Sequence, residues 1–550
     1  MSNKKVISIV LNSHLPFVRH PEMPFVYEET PFYSAISETF LPLLKTMENL
    51  EADSVPFKLA LVISPSMCHM LKDDVLIQRY FSWLDRQIEF GHDEVNRTKK
   101  DSELLQLTEF YRDRAINNKK VFAEKYNGNI PGAFASFQKK GFLELVLTPA
   151  TNCFLPFIKN NTCALDALLQ TAIISHNLCF RKDSSGIYLP ELGWHSDLDQ
   201  HLQNNNFKWS IIEPHGAFLA NPPAKYGSFY PVKTKLGTNL LIKDYYAYTD
   251  IMDKEMGIPF DPSFRDFYND AVDTLPKNDV KLFLNSKGIR IPTGFKYSTM
   301  GNHKEPKTTY NRQKAWEQAI AMSKTFLDRR LNALSKALIE MQKESVNDSS
   351  AATKNLISLC TWDADFFGRF WFEGPVFLEN IFRFGAKDDS LVFMTPSEYL
   401  AGEDKNNFQT IDPCASSSCF NGYAENLIDA NNDWSYRHIS QALLRMTELA
   451  DRFKNETGIR ARCLNQAARE ILLAISLDWT RLMSENHTAM LPKWRSYAQK
   501  RLEDHLRNFT TIYESLGSSY LNTRFLTEIE QRNNIFPNIN YRVFRRNHAN

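Results

Sequence analysis

Short apolar runs alternate with longer stretches of helical periodicity over about the first 400 residues of the chain. The runs at 6–11 and 59–63 consist of β-branched and aliphatic residues, which favour strands that are buried on both faces. Further strand-like runs occupy residues 142–147, 186–189, 209–212, 290–293, 356–360 and 391–394. Strands that alternate with helices predict a parallel sheet, and seven or eight of them suit a closed barrel.

Two parts of the chain have helical patterning instead. The polar stretch at about 73–126 carries charges of both signs and predicts helices inserted on the barrel. From Asp433 onward, apolar residues recur at helical spacing, first at Ile439, Leu443, Met446 and Ala450. We therefore predict an α/β protein with a catalytic barrel over residues 1–400, the insertion within it, and an all-α C-terminal domain over 401–550.

Composition and charge narrow the range of partners. Lys and Arg number 65 and Asp and Glu number 64, which gives a formal net charge of +1. Without an excess of positive charge, we expect no nucleic-acid partner. No apolar run approaches the about 20 residues that span a bilayer, so we expect no membrane partner either. The 8 cysteines are scattered without a C-x-x-C pair, and no signal peptide precedes the first strand, which predicts reduced thiols in the cytoplasm.

Carboxylates follow several of the predicted strands directly. Glu191 follows the fourth strand, Glu213 follows the fifth, and Asp363 and Asp365 follow the seventh. Because the carboxyl ends of parallel strands meet at one mouth of a barrel, these side chains are expected to converge. Two carboxylates in one pocket can hydrolyse a glycoside, since one attacks the anomeric carbon and the other protonates the leaving oxygen. A loop cap or an ion-pair partner is the alternative role for each of them.

Longer motifs show a resemblance to a known family. Six segments look, in order, like motifs of glycoside hydrolase family 57, branching-enzyme type, and together they span almost the whole chain: residues 12–22, 186–191, 214–216, 363–375, 464–470 and 534–537. The resemblance implies a distorted (β/α)7 barrel with a helical C-terminal domain. It also implies a retaining mechanism on an α-1,4-glucan, glycogen or starch-like, through a covalent glycosyl-enzyme intermediate.

The resemblance assigns roles to individual residues. Glu191 matches the nucleophile and Asp363 matches the general acid/base of the family. Asp478 matches an aspartate that reaches the sugar from the helical domain, with an ordinary helix-surface charge as the alternative role. The remaining expected substrate-binding residues are His14, Trp194 and Trp371. The resemblance implies neither a metal nor another cofactor.

The chain departs from the family pattern at several polar positions. Asn12 and Asn152 stand where the family has histidines, and Asp365 and Arg369 stand where it has a glutamate and a histidine. An asparagine can still donate a hydrogen bond to a hydroxyl group, but it cannot supply the charge of an imidazolium. These substitutions predict altered or weak activity.

Aromatic residues of the family are also missing. Ser418 and Leu427 replace two tryptophans, and Ile258 replaces a tyrosine of a loop at the active site. Aromatic rings bind the apolar faces of sugars, so their loss predicts weak binding of the acceptor chain. Branching depends on that acceptor, and we therefore expect slow branching with some transfer to water.

Three classes of function follow from these observations. The first is an α-glucan-active enzyme, either a branching enzyme or an amylase, and the presence of both Glu191 and Asp363 favours it. The second is a catalytically impaired glucan-binding protein, which the missing His, Tyr and Trp residues favour. The third is a metal-dependent deacetylase or mannosidase that would use His14 and His20, but Asn12 replaces the first histidine of the expected pair. We favour the first class.

Overall fold

The computed structural model describes residues 4–253, 255–302, 306–344, 354–485, 492–518 and 521–546. Within these ranges the strands form two sheets of five. Their bounds are β1 Lys5–Ser13, β2 Leu59–Ile63, β3 Leu143–Val146, β4 Gly186–Ile187, β5 Trp209–Ile212, β6 Val232–Lys233, β7 Asn239–Ile242, β8 Leu356–Asp363, β9 Leu391–Phe393 and β10 Gln409–Thr410. The chain is an α/β protein with parallel sheets and many helices.

The first sheet is built around the buried strand β1. Its order is β3-β2-β1-β8, β9 also pairs with β1, and every pairing is parallel. The register places Asn12 of β1 opposite Asp363 of β8. The carboxyl ends of the two strands therefore lie side by side, and they bring these two polar residues to the same edge of the sheet.

The second sheet has the order β10-β6-β7-β5-β4, and its β6–β7 pair is antiparallel. Backbone contacts connect it to the first sheet at two places. Leu147 forms a parallel bridge with Ile187, and the Asp244 N–H donates to the Leu359 carbonyl at 2.9 Å. The carboxyl end of β4 is thereby held close to that of β3, and the end of β7 close to β8.

The predicted strand at 290–293 is absent from both sheets. Arg290 forms only an isolated bridge with Leu284, and Pro292 lacks the N–H that a ladder needs. The second sheet contains the strand β7, which pairs in parallel with β5 and is not predicted from the sequence. Its four residues, Asn239–Ile242, are too few to show a clear period.

The helices of the described residues are α1 Thr30–Ser34, α2 Leu41–Ala52, α3 Pro65–Met70, α4 Asp74–Thr98, α5 Ser102–Lys120, α6 Ile130–Lys139, α7 Thr162–Phe180, α8 Leu198–Asn204, α9 Pro214–Phe218, α10 Tyr245–Met252, α11 Ala271–Thr274, α12 Arg312–Glu344, α13 Gly374–Gly385, α14 Pro396–Gly402, α15 Asp433–Arg452, α16 Gly458–Ala474, α17 Leu477–Met483, α18 Pro492–Leu516 and α19 Thr523–Arg532. Helices α4 and α5 pack against each other and occupy the predicted insertion at 73–126. The helical character of that segment is confirmed.

Asp73 ties the insertion to the C-terminal part of the chain. Its side chain caps α4 by accepting from the Leu76 N–H at 3.1 Å, as expected of an Asp that precedes a helix. The same carboxylate accepts from Arg19 Nε at 2.8 Å and from Asn534 Nδ2 at 3.0 Å. One residue therefore links the start of the insertion to the loop after β1 and to a distant C-terminal segment.

The predicted domain boundary at residues 400–401 does not coincide with a change of architecture. Strand β10, at Gln409–Thr410, pairs with β6 in the second sheet, so this part of the chain still belongs with the sheets. The succession of helices begins with α15 at Asp433. Helices α15, α16 and α17 all pack against α18. Helix α17 also contacts the segment after β1, through Asp478 and His14.

Helix α7 corrects one expectation from the sequence. Its 19 residues, Thr162–Phe180, are long and apolar enough to cross a membrane by length and composition, although we expected no such run. In its most apolar 18-residue window 56% is buried, and the helix packs against α3, α6 and α15. A core helix of a folded protein passes the same test, so this helix is only weak evidence of a membrane span.

Candidate active site

A cavity of about 2040 Å³ lies at the carboxyl ends of the strands. Residues that follow β1, β3, β4 and β8 line it, and helix α17 contributes from the C-terminal region: Asn12, His14, Asn152, Glu191, Asp363, Asp365, Asp478 and Arg481. Pockets for single small molecules usually measure about 300 to 1,000 Å³. This cavity therefore has room for several linked sugar units.

Glu191 lies in a strained turn directly after β4. Its backbone is left-handed, with φ 53° and ψ 24°, and Leu192 follows with φ 47°. For residues other than glycine this conformation costs about 1 to 2 kcal/mol, and such strain is concentrated at functional sites. The turn brings the Glu191 side chain to the cavity wall.

Donors from two other segments hold the Glu191 carboxylate. Arg481 Nη1 donates to Oε1. Ser418 Oγ donates to Oε2 at 3.2 Å, and the Cys419 thiol approaches the same oxygen at 3.7 Å. The Ser418 N–H also donates to the Glu191 carbonyl at 2.6 Å. Both carboxylate oxygens are thus oriented by neighbours, and one of those neighbours is a cation.

Asp363 ends β8, and its side chain is exposed to the cavity. Its desolvation between the cavity walls, together with the negative charge of Glu191, raises its pKa to about 6. The Arg481 charge and a 3.4 Å hydrogen bond from Asn12 Nδ2 act in the opposite direction. A carboxyl group with this pKa is partly protonated near neutral pH, which is what a general acid requires.

His14 and Asp478 form a second polar pair in the cavity. His14 Nε2 lies 2.8 Å from Asp478 Oδ2, while its Nδ1 lies 2.8 Å from Ser64 Oγ. Asn152 and Ser476 donate to the same carboxylate at 3.3 Å and 2.6 Å. Burial alone would raise the pKa of Asp478, but His14 and these donors outweigh it and lower the pKa. Asp478 is therefore a buried, ionised carboxylate rather than a helix-surface charge.

The substituted pair Asp365 and Arg369 forms a salt bridge. Arg369 Nη1 donates to Asp365 Oδ2 at 2.7 Å, four residues along the chain, and both residues line the cavity. The shorter carboxylate and the arginine that depart from the family pattern thus compensate each other.

The structure does not bring the two expected tryptophans to the cavity. Trp194 and Trp371 are each only 1% exposed, and neither lines the cavity. The Trp194 backbone bridges to Ser416, and the Trp371 ring packs among phenylalanines in the core. Both residues support the site from behind. The aromatic rings that do line the cavity come from other positions: Phe25, Tyr27, Tyr248, Phe260, Phe267, Tyr268, Phe366, Phe370 and Trp494.

Two other departures from the family pattern also lie outside the cavity lining. Leu427 is 1% exposed and packs with Phe154 and Leu477 in a small separate cluster. Ile258 packs against the core, while its neighbours Pro259 and Phe260 line the cavity. Neither position offers a surface on which a sugar ring stacks in this structure.

Two further cavity residues, Arg481 and Tyr248, are not predicted from the sequence. Arg481 lies three residues after Asp478, so the two share a face of α17, and that spacing was an available signal. Tyr248 lies on α10 after the unpredicted strand β7, and Lys243 Nζ lies 3.8 Å from the centre of its ring. Glu213, expected at the barrel mouth, forms a buried ion pair with Lys243.

The cysteines and acidic residues show no metal centre in the described part of the chain. No group of three or more His, Cys, Asp or Glu side chains there is close enough to hold an ion. The 8 cysteines are free thiols.

Comparison with protein families decides the family. The model described as "Glycosyl hydrolase family 57" matches residues 8–309, which is more than half of the chain. The chain belongs to glycosyl hydrolase family 57. A second model, described as "1,4-alpha-glucan branching enzyme, C-terminal", matches residues 438–544 of this family 57 protein. The carboxylates in the cavity are therefore those of a glycoside hydrolase-family enzyme.

Individual relatives fall into two groups. A 1,4-alpha-glucan branching enzyme of Thermococcus kodakarensis is 22% identical, over 97% of this chain and 77% of its own length. Among solved structures, the alpha-amylase AmyC from Thermotoga maritima is 29% identical, with a TM-score of 0.89 and 99% coverage of both chains. The branching enzyme from Pyrococcus horikoshii shares the fold, at 21% identity and a TM-score of 0.83, over 100% of this chain and 98% of that one.

Proposed function

We propose that this family 57 enzyme acts on α-1,4-glucans with retention of configuration, as a glucanotransferase of the 1,4-α-glucan branching type. One observation carries the proposal. Glu191 and Asp363 line the same cavity, and the charge of Glu191 helps to raise the pKa of Asp363 to about 6. Glu191 is paired with the cation Arg481, whereas Asp363 is partly protonated, which is the division of roles that retaining hydrolysis needs.

In the proposed first half-reaction, a Glu191 oxygen bonds to the anomeric carbon as the bond to the leaving oxygen breaks. Asp363 gives its proton to that oxygen. In the second half, an acceptor hydroxyl bonds to the same carbon, its proton passes to Asp363, and Glu191 leaves as a carboxylate. A 6-hydroxyl of another glucan chain as the acceptor gives a branch, and water gives hydrolysis.

We propose that His14 and Asp478 bind hydroxyl groups of the donor sugar. They line the cavity together with the two catalytic carboxylates, and Asp478 is held in its ionised form. Stacking surfaces for the glucan come from the cavity rings, such as Tyr248 and Phe370. Trp194 and Trp371 act only through packing, because each is almost fully buried.

The finer architecture supports the same proposal. We propose that the contacts at Leu147–Ile187 and Asp244–Leu359 close β1, β2, β3, β4, β5, β7 and β8 into a (β/α)7 barrel. An all-α C-terminal domain would then begin near Asp433. Free cysteines fit a cytoplasmic location, where thiols remain reduced.

Amylase-like hydrolysis is the second candidate function. The similarity to the alpha-amylase AmyC, at 29% identity and with 99% of both chains covered, favours it. The catalytic pair is the same for both activities, since only the acceptor differs. The match of residues 438–544 to the branching-enzyme C-terminal model favours transfer.

Incubation with linear amylose separates the candidates. Branching shifts the absorbance of the iodine complex to shorter wavelengths with few new reducing ends, whereas hydrolysis lowers the absorbance while reducing ends accumulate. Glu191→Gln serves as the inactive control. If the wild type changes neither signal but still binds amylose, the enzyme proposal is wrong and the glucan-binding alternative is favoured.

A further inference from the structure

Arg481 reaches the candidate nucleophile from the C-terminal part of the chain. It lies on α17, and its Nη1 donates to Oε1 of Glu191 in the turn after β4. The side chain is 41% exposed and lines the cavity. The contact therefore spans 290 residues of sequence and is accessible from the cavity.

The donors to Glu191 differ in charge. Ser418 and Cys419 approach Oε2 as neutral groups, whereas Arg481 brings a full positive charge to Oε1. Arg481 also interacts electrostatically with Asp363. It therefore acts on both members of the catalytic pair.

The charge balance around Asp363 changes during the reaction proposed above. In the free enzyme, the negative charge of Glu191 and the positive charge of Arg481 oppose each other. When Glu191 forms its ester with the sugar, the negative charge of Glu191 disappears. The positive charge of Arg481 remains. The Glu191–Arg481 pair then presents a net positive charge to Asp363, which favours the deprotonated form of Asp363, and that form is the base needed for the second half-reaction.

We propose that Arg481 is a positioning residue that orients the nucleophilic carboxylate of Glu191. Once the ester has formed, the positive charge of Arg481 is no longer compensated. It then promotes transfer of the sugar, because it lies beside the acid/base residue Asp363. The inference rests on the proposed function, because it concerns the second step of that reaction. It assigns to the helical region a part in the chemistry in addition to substrate binding.

Other charged and titratable groups face Asp363 and Arg481, and these groups are the same in the wild type and in the variants. Those that interact with Asp363 or Arg481 come from the strand ends, from α10 and α17, and from the 418–419 segment: Asp365, Tyr188, Tyr248, Cys419 and Asp478. The tyrosine and cysteine thiol pKa values are raised, so these groups remain neutral over the pH range of the test. The tyrosines and the thiol therefore add no change in charge to that of Glu191 and Asp363 during the reaction.

The test uses full-length protein with α-maltosyl fluoride, whose fluoride leaves without protonation. Arg481→Met should lower kcat by about tenfold or more, which is less than the loss expected when a general acid/base is removed. It should also lower KM, because the glycosyl-enzyme accumulates. Mass spectrometry of quenched protein should show the maltosyl adduct. The acid limb of the kcat profile should move to higher pH, since Asp363 deprotonates less readily without the cation.

Two further variants make the outcome specific. Arg481→Lys retains the charge and should recover most of kcat and the wild-type pH profile, which a purely structural role of the guanidinium would not predict. Arg507→Met is the matched control, because it removes an exposed arginine that pairs with Asp504 on α18, away from the cavity.

The results separate this inference from the proposed function. If the wild type is active but Arg481→Met shows the wild-type pH profile and no adduct, the proposed role of Arg481 is wrong while the proposed function stands. If the wild type acts on neither amylose nor the fluoride, the proposed function fails and the inference fails with it. Circular dichroism and thermal unfolding establish that each variant is folded.

Discussion

His14 Nε2 lies 2.8 Å from Asp478 Oδ2, although 464 residues separate them in the sequence. The contact joins the end of β1 to α17. A carboxylate only accepts hydrogen bonds, so His14 donates from Nε2, while its Nδ1 lies 2.8 Å from the Ser64 hydroxyl. Asp478 thus orients a histidine that faces the cavity.

The first prediction concerns this pair. Asp478→Asn removes the charge that holds His14, and a hydrogen bond to a charged group contributes about 1.5 to 3 kcal/mol. We expect kcat/KM on amylose to fall by about 10- to 100-fold, because about 1.4 kcal/mol corresponds to a factor of ten. The measurement is initial-rate kinetics with protein shown to be folded by circular dichroism.

The control for this prediction is Asp433→Asn, an exposed aspartate at the start of α15. Surface substitutions of this kind change stability by no more than about 0.5 kcal/mol, so its activity should match the wild type. Equal activity of Asp478→Asn and the wild type would show that the pair does not contribute to substrate binding.

The second prediction separates the roles of the two carboxylates. Glu191→Ala removes the nucleophile, and azide supplied in its place should attack α-maltosyl fluoride from the opposite face to give the β-maltosyl azide. Asp363→Ala retains the nucleophile, and azide should then give the α-maltosyl azide from the covalent intermediate. The product configuration, read by NMR, tests the assignment, and the same anomer from both variants would contradict it.

The sequence predicted the strands and the two carboxylates better than it predicted the binding residues. Glu191 and Asp363 follow strand-like runs directly, and in parallel sheets that position alone brings side chains to one edge. Trp194 and Trp371 differ, because the residue type does not show whether a ring faces the core or the cavity. The spacing from Asp478 indicates that Arg481 lies on the same face of α17, but only the fold shows that its partner is Glu191, in a distant turn after a strand.

Three of the departures from the family pattern have a common feature in the structure. Asn12 donates to Asp363, Asn152 to Asp478, and Ser418 to Glu191. Each substitution retains a hydrogen-bond donor that faces a carboxylate of the site, although the ring or charge of the family residue is gone. The sequence showed the loss, but only the folded arrangement shows which carboxylate each donor serves.

The third prediction concerns pH. The raised pKa of Asp363, about 6, means that its acid form is lost as pH rises through that value. The kcat/KM for amylose should therefore decline by about tenfold per pH unit above about pH 6. Asp363→Asn should lose about 100-fold or more on amylose but still form the glycosyl-enzyme with α-maltosyl fluoride. A kcat/KM that stays constant from pH 6 to pH 9 in the wild type would contradict this role.

The fourth prediction concerns Ser418, which donates from Oγ to Glu191 Oε2 at 3.2 Å and from its N–H to the Glu191 carbonyl. Ser418→Ala removes the hydroxyl alone, so we expect kcat to fall about tenfold with KM little changed. Ser418→Thr retains a hydroxyl and should recover most of the rate. An unchanged kcat in Ser418→Ala would show that the backbone contact suffices to hold the nucleophile.

The last prediction concerns stability. Buried Glu38 pairs with Arg265 at 3.2 Å and with Arg114 at 2.6 Å. Burial would raise its pKa, but the two arginines lower it to about 2. Because this folded-state pKa lies below the usual 4.5, the pairing of Glu38 with the arginines stabilises the fold above about pH 4.5 and loses that contribution as pH falls toward 2.

Glu38→Gln leaves Arg265 buried without its charged partner, so at pH 7 the free energy of unfolding in urea should fall by about 3 to 5 kcal/mol. The deficit should shrink below about pH 4.5, where the wild type begins to lose the same interaction. Glu340→Gln, at an exposed glutamate on α12, is the control and should unfold like the wild type. A Glu38→Gln deficit that stays constant between pH 7 and pH 3 would mean that packing, and not the charge of Glu38, accounts for the loss.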